Sequence, residues 1–265
     1  MEPKIKVSGR IKSKQTFKWS LTALVLFFFL NSLFSGTVNA QTGLQGNDRV
    51  KASFEDKLKK AQEGDADAQL DVGYAYEKGI DVEVDYQKAR MWYEKAAEQG
   101  VVLAYNNLGY LYEAGFGVVR NFNTAARYYM IAAEKGNAYA QNNLGCLYLR
   151  GDGVEQDYTK AYYWNMKAAN QGMNKAEHQI GVQYLYGWGV EQDLVKAAQW
   201  IERAATDGHL VSQYMMAQFY VAGYGVEKSK EKALYWARVA MENGHPDAAD
   251  LLKAIENDEI KVVSQ

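Results

Sequence analysis

Glycine returns every 36 residues along most of this chain, at Gly64, Gly100, Gly136, Gly172, Gly208 and Gly244. Other positions keep the same phase. Gly73, Gly109, Gly145 and Gly181 follow nine residues on, with Ala217 in the fifth copy. Tyr76, Tyr112, Tyr148, Tyr184 and Tyr220 stand three residues later, and Gly79, Gly115, Gly151, Gly187 and Gly223 come next. An aromatic recurs at Trp92, Tyr128, Trp164, Trp200 and Trp236, and alanine pairs such as Ala96-Ala97 and Ala168-Ala169 close the units. Strict self-similarity at this length marks an array of identical supersecondary units, because one unit alone cannot bury its apolar faces and each must stack on its neighbour.

Each unit reads as two helices. Ala140, Leu144, Leu147 and Tyr148 fall three to four residues apart, the spacing of one buried helical stripe. Gly151 and Gly153 stop that helix, since glycine adopts left-handed dihedrals without steric cost. Asp157 is placed to cap the second helix, as are Asp85, Asn121 and Asp193 in their copies. Ala161, Trp164, Ala168 and Ala169 supply its buried stripe. Gly145 and Ala161 leave room for close approach, and Tyr148 and Trp164 fill the space between units. Only two prolines in 265 residues fit a chain that is nearly all helix.

The ends of the array depart from the pattern, as terminal repeats must if they face water. Residues 51–63 form an N-terminal capping helix in which Asp56, Lys57 and Lys60 replace the aromatic and alanine positions. Residues 244–258 form a C-terminal capping helix, with Pro246 in its first turn. Its stripe is Ala248, Leu251, Leu252 and Ile255, with Lys253 and Glu256 turned outward. Five full repeats occupy 64–243, and 259–265 is a tail.

Residues 1–40 read as an export signal. Six basic residues precede the apolar run Leu21–Leu30, and Val38-Asn39-Ala40 offers a small-residue cleavage site. The stretch from Trp19 to Phe34 is shorter than the ~20 residues that span a bilayer, so cleavage after Ala40 is favoured over a retained anchor. No cysteine follows the run to take a lipid. Residues 41–50 then form a flexible linker. Location across the inner membrane follows, periplasmic in a two-membrane bacterium, with an extracellular or anchored protein as the alternative. Cleavage removes six of the 30 Lys/Arg and one of the 32 Asp/Glu, taking the net charge from −2 to −7. Such an acidic surface gives nucleic-acid phosphates nothing to bind.

A unit reading Ala-x-x-x-Leu-Gly-x-x-Tyr-x-x-Gly-x-Gly-Val (Ala140 to Val154), followed by Lys-Ala-x-x-Trp-x-x-Lys-Ala-Ala-x-x-Gly (Lys160 to Gly172), resembles the Sel1-like repeat, a relative of the tetratricopeptide repeat. The resemblance spans about residues 64–257. Its departures are local: Asp81 for the second turn glycine, Ala217 for the helix glycine, Ser229-Lys230 for the usual Asp-aromatic pair, and Met241 for an alanine. It implies an all-α, right-handed α-solenoid acting as an adaptor for a protein or peptide partner, with no cofactor and no catalysis. It also implies that the first helix of each unit lines a concave groove.

On that helix, the positions free of packing vary between copies. Side-chain amides carry both donor and acceptor, so Asn106, Asn107, Asn142, Asn143 and Gln179 form a candidate ladder for the backbone of an extended peptide. Tyr74, Tyr110, Tyr139, Tyr186 and Tyr214 flank it, tyrosine being a frequent anchor at interfaces. Asn107 and Asn143, which precede Leu-Gly as in the family pattern, are open to a structural reading in which they bond a neighbouring backbone carbonyl. An envelope-machine assembly factor or a host-contact factor is an alternative role within the binding class.

Signals of an enzyme are weak. His178, His209 and His245 are scattered in sequence, and His209 and His245 open first helices, where a capping or solvated role is expected. The glycine turns end helices, whereas a phosphate cradle begins one. Cys146 reads as a small buried residue, and it is the only cysteine. Cysteine-rich exported members of this repeat family have been linked to β-lactams. This chain lacks their paired cysteines, so a cell-wall or β-lactam hydrolase stands as the opposing hypothesis.

Overall fold

The computed structural model describes residues 4–7 and 53–263, and twelve helices lie among them. They fall into two compact units. The N-terminal unit, residues 53–173, begins with α1 (Phe54–Gln62). Three pairs follow: α2 (Ala66–Lys78) with α3 (Tyr86–Glu98), α4 (Val102–Ala114) with α5 (Phe122–Glu134), and α6 (Ala138–Arg150) with α7 (Tyr158–Ala169). The C-terminal unit holds α8 (Asn174–Tyr186), α9 (Leu194–Thr206), α10 (Leu210–Ala222), α11 (Lys230–Glu242) and α12 (Ala248–Glu256). In each unit every helix packs on the next in sequence. The fold is the all-α repeat array that the period requires.

The termini match the sequence signals. Asp85, Asn121, Asp157, Asp193 and Ser229 each accept a hydrogen bond from the backbone N–H three residues on, capping α3, α5, α7, α9 and α11. Such a cap contributes about 1 kcal/mol. At the second turn position, where other copies have a left-handed glycine such as Gly153 (φ 67°), Asp81 takes the same conformation at φ 60°. The turn therefore survives the substitution. Pro246 lies one residue before the N-cap Asp247 of α12 rather than in its first helical turn.

Alanine-lined seams hold the pairs together. Ala89, Ala96, Ala97 and Ala104 share a core with Tyr93, Leu108 and Leu111 in the N-terminal unit. Ala197, Ala198, Ala205, Ala233 and Ala237 do so with Ile201, Met216, Phe219 and Trp236 in the C-terminal unit. A second, 72-residue rhythm overlies the 36-residue one. Gln69, Gln141 and Gln213 each donate to a carbonyl of the preceding helix, those of Ala61, Ala133 and Ala205, at 3.1 Å. Their own amide oxygens accept from Gln99, Gln171 and Asn243. Tyr105 and Glu177 stand at the glutamine position in the repeats between.

Among the described residues no helix is long and apolar enough to cross a membrane. The expected export signal and the linker lie outside the described residues, apart from a four-residue strand β1 (Lys4–Val7). It pairs antiparallel with β2 (Ile260–Val263), within the stretch read as a tail.

Candidate functional site

In the N-terminal unit, the first helices α2, α4 and α6 carry polar and aromatic contacts from one helix to the next. Asn143 of α6 donates to Asn106 of α4 at 3.3 Å, and Asn106 donates to Asn107 at 3.2 Å. Arg150 of α6 reaches Glu113 of α4 at 2.9 Å and also bonds Asp152. The Lys78 ammonium of α2 lies 5.8 Å from the Tyr74 ring and 5.9 Å from the Tyr110 ring of α4, while Glu77 holds it at 2.6 Å. Burial works most strongly on the Lys78 charge and against it, but the bond to Glu77, the Glu77 charge and the two tyrosines together outweigh it and raise the ammonium above its ordinary pKa. Tyr110 in turn meets Phe116 edge-on, and Phe116 stacks on Tyr86.

The ten candidate residues are not equally open. Asn107, Asn143, Gln179, Tyr74, Tyr110 and Tyr186 are half-buried, and Tyr139 is exposed. Asn106 and Asn142 are 5% and 7% exposed, and Tyr214 is 7% exposed. These three sit beneath the face rather than on it. Asn106 spends its amide on side chains of the row itself, not on a backbone carbonyl. Tyr186 stacks on Trp188 at 4.7 Å and Tyr214 on His245 at 4.1 Å, so both rings are fixed in place. Cys146 is half-buried, not fully enclosed as expected.

Two constellations escaped the sequence reading. Tyr93 and Tyr129 are completely buried, and their hydroxyls donate to Glu77 at 2.7 Å and Glu113 at 2.8 Å. Burial first, then the adjacent carboxylate, pushes both phenols far above their ordinary pKa, so they stay donors. The pairs were detectable: Tyr93 and Glu77 recur as Tyr129 and Glu113 one period later. Both members vanish together afterwards, as Asn165 with Leu149, Ile201 with Leu185 and Ala237 with Val221.

The second constellation corrects the view of the histidines as scattered. In the C-terminal unit the His178 and His209 rings lie 4.5 Å apart. Their Nδ1 atoms approach the Ser212 hydroxyl at 2.8 and 2.9 Å. His209 is the N-cap of α10, accepting from the Ser212 N–H, as a capping role requires, and His245 accepts from the Asp247 N–H. Burial, then the His209 charge, depresses His178 well below the ordinary imidazole pKa. Burial, with Lys175 adding to it, brings His209 down to about 4. Burial also lowers His245, against the pull of Asp247. Among the described residues no group of three His, Cys, Asp or Glu side chains is placed to hold a metal.

Residues 66–101, 102–137, 138–173, 174–209 and 210–245 each match the Sel1 repeat family model. No curated protein matches the chain. Among solved structures, a protective antigen of uropathogenic Escherichia coli with an SLR fold is 34% identical at a TM-score of 0.74. The match covers 81% of this chain but 46% of that one, so the chain spans about half its length. A Sel1 repeat protein from Oxalobacter formigenes is 32% identical at a TM-score of 0.70, covering 77% of this chain and 89% of its own. A Sel1 repeat protein from Klebsiella pneumoniae, 23% identical at a TM-score of 0.52, shares the fold.

Proposed function

The chain belongs to the Sel1 repeat family, and from that premise we propose that it is an exported adaptor holding a protein or peptide partner along its first-helix face. Repeat proteins of this kind commonly serve as protein-interaction scaffolds. The observation that carries the reading is the prearranged face of the N-terminal unit. Asn106, Asn107 and Asn143 are bonded to one another, and Tyr74 and Tyr110 flank a lysine already fixed by Glu77. Half-buried tyrosines and amides held in one arrangement lose little conformational entropy when a guest arrives, which is where affinity is otherwise lost. Export rests on the basic head, apolar run and small-residue site of residues 1–40. The Escherichia coli relative, a protective antigen, is in keeping with it.

A photo-activated cross-linker placed in intact cells at Asn107 or Asn143 tests the face. The same probe at Tyr163, exposed on α7, is the control. Cross-links to one protein are expected from the first two sites and not the third. Tyr110→Ala together with Asn143→Ala is expected to weaken that complex at least ~10-fold, with a melting shift of a few degrees at most. Equal cross-linking from Tyr163, or unchanged binding by the double variant, removes the proposal.

A further inference from the structure

His209 stands at a first-helix N-cap, a position filled by an oxygen acceptor in α2 and α6 and, in α4, by Val101, which makes no side-chain bond. Asp65 caps α2 and Asn137 caps α6, each accepting from the N–H three residues on. An N-cap side chain must accept, and the positive end of the helix dipole disfavours a cation there. Neutral imidazole meets the first demand through a bare nitrogen, and imidazolium fails both.

The hydrogen-bond arithmetic fixes which nitrogen is bare. The Ser212 N–H points at His209 Nδ1 from 3.3 Å, so that nitrogen carries no proton. The Ser212 hydroxyl, 2.9 Å away, then gives its one hydrogen to the same atom. His178 Nδ1, 2.8 Å from that oxygen, must donate to it. The chain runs from His178 through Ser212 to His209, and it needs His209 neutral. A proton added to His209 Nδ1 meets the Ser212 backbone N–H donor to donor and ends the cap, while the Ser212 hydroxyl has to turn its hydrogen away and accept instead. A proton added to His178 goes to its other nitrogen and leaves the chain intact. Ser212 is wholly buried, and His178 is 4% exposed, so water has little room to substitute.

We propose that His209 is an acid-released helix cap, which fastens the first turn of α10 to α8 through Ser212 and His178 at neutral pH and lets go when it gains a proton. The charges around it are those of Lys175 and Glu177 on α8, of Arg203 on α9, which bonds Glu177, and of Asp207 in the turn after α9. Lys175 opposes protonation. Glu177 forms an ion pair with Arg203, and neither it nor Asp207 is among the groups that set the His209 titration, which burial and Lys175 govern. Burial holds His209 neutral until the medium is well below its ordinary titration range, which makes release a response to acid and not to small drifts about neutrality.

Hydrogen exchange on the full chain, read amide by amide at pH 7 and pH 4, tests the cap. The protection factors of the Ser212 and Gln213 amides are expected to fall at least about tenfold, while those of Ala140 and Gln141 behind the Asn137 cap change much less. In His209→Asn, which installs the α6 cap, the difference between the two helices is expected to disappear. In parallel, ring-proton titration of the wild type is expected to show His209 titrating well below the free imidazole range, with the Ser212 amide shift following the same curve. Equal loss at α6 and α10, a fall that persists in His209→Asn, or a Ser212 amide indifferent to the His209 titration would each overturn the cap. Should the variant not fold, the wild-type titration and the α6 comparison still decide.

Discussion

The same small-residue position is solved in opposite ways in the two units. In the N-terminal unit, Gly73 and Gly109 leave a gap into which the Tyr93 and Tyr129 rings fit, and each ring is tied at its far end to a glutamate. In the C-terminal unit, Gly181 faces the aliphatic Ile201, and in the last repeat Ala217 lies in one core cluster with Ala237. Volume is conserved between partners rather than at either position: a large ring demands glycine, and once the ring becomes alanine the glycine can gain a methyl. The N-terminal unit thereby gains two buried polar pairs that its neighbour lacks. The C-terminal unit holds all three histidines of the chain. One unit ties its packing to buried phenol–carboxylate pairs, the other to a helix cap whose imidazole must stay neutral.

The largest effect is expected from emptying the ring's place. Tyr129→Ala removes a fully buried aromatic and should destabilise by about 3–5 kcal/mol in chemical denaturation. Tyr129→Phe keeps the ring and takes only one donor from Glu113, which Arg150 still holds, so about 1–3 kcal/mol is expected. If the two variants cost the same, the hydroxyl and not the ring carries the pair.

Acid separates the units next. The folded pKa of His209, about 4, lies below the ordinary 6.5, so the unfolded chain binds more protons between those values. Stability present above pH 6.5 is therefore lost as pH falls toward 4, by about 3 kcal/mol from this residue. His178 and His245, both lowered by burial, act in the same direction. Glu177 acts in the other: burial raises its carboxyl despite Arg203, so it takes up a proton more readily folded than unfolded. Hydrogen exchange followed by mass spectrometry should show residues 174–259 losing protection across this window before residues 53–173, which contain no histidine. Loss of both in step would erase the contrast.

Why was the scaffold legible and half the chemistry not? Helix ends are set by local rules. Gly151 and Asp157 carry their meaning within a few residues, and their period repeats it five times. The networks are set by the stacking of neighbours. Gln99 meets Gln69 across 30 residues, Asn174 meets the Asp207 carbonyl across 33, and His178 meets Ser212 across 34. Those separations fall near the repeat length but never on it, because each helix is rotated and shifted against the next. The candidate face shows the same limit. Its rows were found from the variation between copies, but Asn106, Asn142 and Tyr214 turned out to lie beneath it. A single side-chain position around the helix separates surface from seam.

The finest test of volume exchange is one methyl group, placed at the same repeat position in each unit. An added Cβ on Gly109 would lie 2.6–2.7 Å from two ring carbons of Tyr129, a rigid plate anchored by Glu113. On Gly181 it would lie 2.6 Å from the terminal Cδ1 and Cγ1 of Ile201, an end that can turn to another rotamer, and 3.2 Å from the Ala197 carbonyl. Both substitutions gain up to ~1 kcal/mol of helix propensity. Overpacking against the ring should exceed that gain, leaving Gly109→Ala destabilised by about 1–3 kcal/mol. Against the isoleucine the two contributions should nearly cancel, leaving Gly181→Ala within about 1 kcal/mol of the parent. Pairing Gly109→Ala with Tyr129→Ala should then cost less than the sum of the two alone, since the methyl enters space the ring has left. Strict additivity would mean that the two residues do not share one volume, and that the small residue is there for the helix and not for its neighbour.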